Sequence, residues 1–288
     1  MNEVELAGGG VLDYRDTGSG PVVVLLHGLM MDASLWDEVV ADLGADHRCV
    51  APTLPLGAHR RAMPPDADLS LPALARMVGE LLERLDLRGV TLVGNDTGGA
   101  LVQLLMRDAD PRIARVVLAS CDAFDNFPPG LTGRALFLLG RLPPRLFGVF
   151  MQQMRLRAVR RLPLAFGWLT RRGDAACARW IRPLLAGREV RRDTVRVLRA
   201  AAAAAAGGEN GLLVEAARHL PGFERPALVV WARGDRVMPP EHGRRLAELL
   251  PDSRLVEVDD SYTLIPLDQP ARFAAALRAF VAQTVQVR

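Results

Sequence analysis

Between a run of strand-forming residues and a run with helical periodicity, the chain reads Leu92, Val93, Gly94, Asn95, Asp96, Thr97, Gly98, Gly99. An acidic residue stands between two glycines, in the pattern GxDxG, at a strand-to-helix junction. The spacing has a physical cause. The central residue of so sharp a turn takes a strained backbone conformation, and its neighbours must be small for the chain to bend there. The turn presents the Asp96 side chain above the carboxyl end of the sheet, near the positive end of the following helix. A plainer role for the same residue is a cap on that helix, for which Asp is well suited.

Working outward, strand patterns cover residues 4–6, 11–16, 22–26, 48–51, 90–94, 113–119, 227–231 and 254–258, with helical periodicity between them. Ser70 and Pro72 mark a helix start ahead of Leu74, Val78, Leu81, Leu82 and Leu85. Continuous apolar strands linked by helices predict an α/β fold with a buried, mostly parallel eight-stranded sheet. The alternation stops at about residue 127 and resumes near 223. Helical segments follow one another there, around Leu136, Val149, Leu164, Trp180 and Val195. This predicts a helical insertion, 127–222, within a core made of 1–126 and 223–288. Its alanine run, 200–206, has high helix propensity but no packing pattern, and Gly207 and Gly208 read as its stop.

A chain of 288 residues, half apolar and 24% charged, has the composition of one sizeable globular α/β domain. Its 36 basic residues are all arginine, and the net charge is only +3. Arginines concentrated from Arg134 to Arg199 suit either solvated helix faces or attraction to an anionic surface. Three cysteines, Cys49, Cys121 and Cys177, make neither a disulfide framework nor a metal-ligand spacing. No metal site or cofactor is therefore expected, and a reducing cytoplasm is the expected compartment. The first residues lack a signal-peptide pattern, and no run approaches the roughly eighteen apolar residues that span a bilayer. Neither membrane insertion nor nucleic-acid binding is expected, and no phosphate-cradling glycine loop is present.

With these landmarks the chain resembles the α/β-hydrolase superfamily over nearly its whole length outside the insertion, which resembles that family's cap. The 22–26 strand runs into His27 and Gly28, matching the family's HG motif. By that match the oxyanion-hole donors are the backbone N–H groups of Leu29 and Thr97, and His27 has a structural place. Gly234 and Asp235, after the 227–231 strand, match the place of the family's acid. Asp in place of Ser at the elbow is similar to the branch containing haloalkane dehalogenases and epoxide hydrolases. A carboxylate there suits attack on a saturated carbon, because the resulting ester is cleavable by activated water.

Several residues depart from that branch. Thr263 stands where its terminal histidine belongs, and neither Thr263 nor Tyr262 replaces an imidazole base near neutral pH. Thr97 occupies the place of a halide-stabilising tryptophan, and Leu29 that of a second polar donor. The tyrosines, Tyr14 and Tyr262, both lie outside the insertion, so epoxide opening needs another acid. His59, in the loop after the 48–51 strand, is the best remaining imidazole for proton transfer. If it lies away from Asp96, with no imidazole or water path between them, the expectation of hydrolysis weakens sharply. Asp122, Asp125 and Asn126 follow the 113–119 strand at the expected crevice mouth, where Asp122 can serve as an alternative acid and the others as substrate contacts or turn formers.

These residues point to an enzyme acting on a small apolar organic molecule between sheet and cap. Hydrolysis is the first expectation, with Asp96 as nucleophile or base, Asp235 and His59 assisting, and possible contacts from His27, Asp122, Asp125, Asn126, Tyr262 and Thr263. A lyase, isomerase or cyclase on the same scaffold is the second, and a ligand-binding protein without turnover the third.

Overall fold

The computed structural model describes residues 1–206 and 211–285. Eight strands form one sheet: β1 (Asn2–Glu5), β2 (Val11–Thr17), β3 (Val22–Leu26), β4 (Arg48–Thr53), β5 (Val90–Asp96), β6 (Ile113–Cys121), β7 (Ala227–Ala232) and β8 (Ser253–Val258). Their order is β1-β2-β4-β3-β5-β6-β7-β8. The β1–β2 and β2–β4 pairs are antiparallel, and every later pair is parallel. Central strands are apolar end to end because helices cover both faces of the sheet. Val23, Val24, Leu25 and Leu26 of β3 are fully buried, as are Leu92 and Val93 of β5.

Core helices are α1 (Asp37–Leu43), α2 (Leu71–Arg84) and α3 (Thr97–Arg107). The Ser70 hydroxyl caps α2 by accepting from Ala73 N–H, with Pro72 in the first turn as its fixed φ allows. Between β6 and β7 the described chain is entirely helical: α4 (Gly130–Leu139), α5 (Pro144–Met151), α6 (Arg157–Arg160), α7 (Asp174–Ala186), α8 (Arg188–Ala205) and α9 (Leu212–His219), with short irregular turns. The last of these, α9, packs on α3 of the core. The alanine run is the end of α8. Gly207 and Gly208, read as its stop, lie outside the described residues. The chain closes with α10 (Pro240–Leu249), α11 (Ile265–Asp268) and α12 (Pro270–Val285).

Strand ends follow the ladder rather than apolarity. β1 begins at the polar Asn2 because that residue pairs with Tyr14. β5 runs beyond its apolar stretch to Asp96, which pairs with Cys121 after a register irregularity. Asp96 is thus held by the sheet on one side and begins α3 on the other.

Three buried polar ties join the helical layer to the core. Trp180 Nε1 donates to Ser34 Oγ at 2.8 Å. Asp193 of α8 is fully buried and accepts from Met63 N–H at 2.8 Å. Asp268 accepts from the Thr170 hydroxyl and from the N–H groups of Arg171 and Arg172. Each satisfies groups that would otherwise be buried unpaired.

Candidate active site

Asp96 has φ 56° and ψ −129°, a conformation that costs a non-glycine residue energy and persists only where its surroundings dictate it. Those surroundings are tight. A Cβ on Gly28 would collide with the Asp96 carboxylate, and one on Gly98 with the Leu26 carbonyl. His27 locks the facing turn: its Nε2 accepts from Leu54 N–H at 2.9 Å, so its proton is on Nδ1, facing Gly28 O at 2.9 Å. Burial holds its pKa down at about 4, which keeps the ring neutral.

This packing aims two backbone N–H groups at one atom. Asp96 Oδ1 accepts from Leu29 N–H at 3.1 Å and from Thr97 N–H at 2.7 Å. The Thr97 hydroxyl lies 3.1 Å from the same oxygen and 3.0 Å from Asp122 Oδ2. A threonine hydroxyl has one proton, so it can donate to only one of these oxygens. The other contact needs a proton on a carboxyl. Asp96 Oδ1 receives two backbone N–H donors whichever way the hydroxyl points, whereas Asp122 Oδ1 has no partner among the described residues. The proton therefore sits on Asp122, in a chain from Asp122 through Thr97 to ionised Asp96.

The electrostatics agree. Burial, then the negative charge of Asp96, pushes the Asp122 carboxyl well above the usual carboxylate range. Burial also raises Asp96, but the Thr97 and Leu29 N–H groups and the Thr97 hydroxyl oppose it.

Above this pair lies a cavity of about 270 Å³ between the sheet and the helical layer. Its walls are apolar, with Leu136, Phe137, Met151, Met154, Phe166 and Val197 among them, while Asp96 and Asp122 are the ionisable residues of its described lining. Apart from Thr132, whose hydroxyl donates to Pro163 O at 3.0 Å, the other polar side chains there are Thr97 and Gln153. Ala201, from the alanine run that shows no packing pattern in sequence, also lines it. Its contribution depends on how α8 lies across the core, which local sequence does not encode.

Other candidate residues are placed elsewhere. His59 is buried outside the cavity lining, with Nδ1 accepting from Gly57 N–H at 3.3 Å and Nε2 3.6 Å from Asp193 Oδ2. The loop that carries it lies beneath α8, and the ring faces that helix. Asp235 meets the terminal position: the Thr263 hydroxyl donates to its Oδ1 at 2.8 Å, as do Val237 and Met238 N–H at 2.9 and 2.8 Å. Burial raises Asp235 to about 6 despite these donors. Thr263 O in turn accepts from Asn95 Nδ2 at 2.8 Å, which ties this pair to the elbow. Neither Asp235 nor Thr263 lines the cavity. Asn126 joins the helical layer to the core by donating to Val237 O at 2.9 Å and accepting from Gly130 N–H at 3.2 Å. Asp125 is exposed, and Tyr262 stacks against Arg236 and Arg171 outside the cavity. Burial pushes the Cys121 thiol well up, so it is an inert neighbour.

Haloalkane dehalogenase 2 of Mycobacterium tuberculosis is 28% identical over 275 residues, covering 93% of this chain and 90% of its own. An esterase from Thermogutta terrifontis superposes with a TM-score of 0.74 at 20% identity, over 98% of this chain and 99% of its own. An ancestral haloalkane dehalogenase gives 0.76 at 22%, over 98% and 99%. At such identities these structures speak for the fold alone. Residues 21–270 match the α/β hydrolase fold family, and they include the elbow, its amide donors and the helical layer. With that match over most of its length, the chain belongs to the α/β hydrolase fold family.

Proposed function

We propose that the protein is a hydrolase of small apolar electrophiles, with Asp96 as nucleophile and Asp122 as the proton carrier. One observation carries the reading: two backbone N–H groups hold Oδ1 of a carboxylate at the floor of an apolar cavity. Donors on a carboxylate lower its basicity, which disfavours Asp96 as a base. They favour it as a nucleophile, because after alkylation the ester carbonyl oxygen already occupies the oxyanion hole. Asp96 Oδ2 has no hydrogen bond among the described residues and is the oxygen left to attack.

A neutral carboxylic acid beside the nucleophile suits an oxygen leaving group, as in a strained cyclic ether. It suits a halide less well, since halides need N–H donors and Gln153 is the only side-chain amide of the described lining. In the first step Asp96 Oδ2 bonds to a saturated ring carbon, the carbon–oxygen bond breaks, and Asp122 gives its proton to the departing oxygen. An alkyl ester on Asp96 and a carboxylate on Asp122 remain. In the second step Asp122 takes a proton from water as the water oxygen adds to the Asp96 carboxyl carbon. Negative charge develops on Oδ1, opposite Leu29 and Thr97 N–H. Collapse expels the alkoxide, which takes the proton of the new Asp96 carboxylic acid. A diol leaves, with Asp96 ionised and Asp122 protonated as at the start. The pair supplies what His59, turned toward Asp193, does not.

Intact mass of the protein after incubation with a terminal aryl epoxide tests this. The expected result is an adduct of one epoxide mass that is transient in the native chain, persists in Asp122→Asn and is absent in Asp96→Asn. Diol formation that survives Asp96→Asn would sink the reading. Rearranged product without adduct would favour a non-hydrolytic isomerase.

A further inference from the structure

We infer that the outer face of the helical layer docks on the surface of an anionic lipid bilayer, with the cavity mouth facing the lipid. Residues 127–173 hold nine of the 36 arginines and none of the 33 acidic residues, so this segment carries +9 while the rest of the chain carries −6. Eight of the nine large hydrophobic side chains exposed among the described residues fall in the same segment, between positions 131 and 164. Val149 is 70% exposed and Leu138 62%, whereas the ninth is Met1. Scattered exposed apolar residues are ordinary; this concentration in one positively charged segment is not.

Five of the nine arginines are available, whereas Arg157 and Arg160 pair with Asp174, and Arg171 and Arg172 with Asp260. Arg134, Arg141, Arg145, Arg155 and Arg161 are exposed and have no carboxylate partner among the described residues. Exposed arginines with no carboxylate partner among the described residues also occur elsewhere, as at Arg60, Arg182 and Arg188, but there no large apolar side chain is exposed nearby in sequence. Apolar side chains interspersed with unpaired arginines fit the headgroup boundary, where the former enter the acyl region and the latter meet lipid phosphates. A second copy fits poorly in a symmetric contact, since it would set the unpaired arginines of one face against those of the other.

The cavity links this face to chemistry. Phe150, Leu162 and Leu164 line it and are also 46%, 53% and 57% exposed, so its mouth opens within the patch. An apolar molecule dissolved in lipid would enter without crossing water. Binding is peripheral, since among the described residues no helix is long and apolar enough to cross a membrane. The docking stands apart from the reaction proposed above and is tested without it.

The test is co-sedimentation of the full chain with vesicles of phosphatidylcholine alone or mixed with phosphatidylglycerol. The protein should pellet with the mixed vesicles only and be released by high salt. The triple variant Arg134→Gln, Arg141→Gln, Arg145→Gln should bind on the order of a hundredfold more weakly. Leu146→Ser with Val149→Ser should weaken binding while leaving the charge intact. None of these residues lines the cavity, and unchanged circular dichroism and melting temperature identify folded variants. Native protein left in the supernatant overturns the proposal, as does binding insensitive to both variants. Self-association abolished by the Leu146 and Val149 changes, without vesicle binding, assigns the face to a second copy. Arginine-dependent binding to polyglutamate but not to vesicles assigns it to an acidic protein.

Discussion

One hydroxyl between two carboxyl groups makes Thr97 the residue through which the site's proton is placed. Removing it in Thr97→Val keeps the backbone N–H on Asp96 but leaves Asp122 with both oxygens unpaired. If the hydroxyl relays the proton in the transition state, losing about 1–3 kcal/mol of stabilisation there should lower kcat roughly 5- to 150-fold with little change in KM. Steady-state kinetics check this, and equal loss in kcat and in thermal stability would show a merely structural role. The pair also sets a pH dependence. Asp96 must be ionised and Asp122 protonated, and both are displaced upward, Asp122 the further. Turnover should follow a bell in pH, with an alkaline limb that Asp122→Asn removes from the ester-forming step measured in single turnover.

At the scale of elements, the junction of β3 with the elbow depends on the absence of a side chain at Gly28. Gly28→Ala places a methyl group against the Asp96 carboxylate, so it should displace that group and remove most activity. Circular dichroism should remain native, since the strands on either side keep their ladders. Helix α8 depends instead on a buried charge. Asp193 accepts from Met63 N–H and from Arg192 and Arg196, and faces His59. Asp193→Ala strands those donors, at about 3 kcal/mol, and should lower Tm by roughly 5 °C or more. An unchanged Tm in a thermal scan would refute that role. His59 thus reads as part of the joint between core and helical layer. Sequence could locate it in a loop at the strand ends, but the direction of its ring follows from where α8 lies.

For the whole molecule, the buried carboxyl of Asp235 makes stability depend on pH. Its folded pKa of about 6 lies above the unfolded value near 3.8, so the folded state binds the proton more tightly. Its stabilising contribution is full below the unfolded value and is lost as pH rises through about 6. Asp235→Asn, which keeps an acceptor for Val237 and Met238, should flatten the stability curve between about pH 4 and 6 in urea titrations. Equal slopes for the two proteins would contradict the assignment.

The fold was legible in sequence because apolar strands, helical periodicity and the glycines around Asp96 are local patterns, each imposed by backbone sterics or burial. The pairing of HG turn and elbow followed instead from the resemblance to the α/β-hydrolase superfamily. Asp122 was legible as a candidate and Thr97 as an amide donor, yet their partnership through one hydroxyl was not. Nor were the orientation of His59, the place of Ala201 in the cavity wall, or the exposure of Leu162 and Leu164 at its mouth. Those depend on how helices from distant parts of the chain settle over the sheet. Side-chain direction across such gaps is decided by packing between elements, which only the tertiary structure contains.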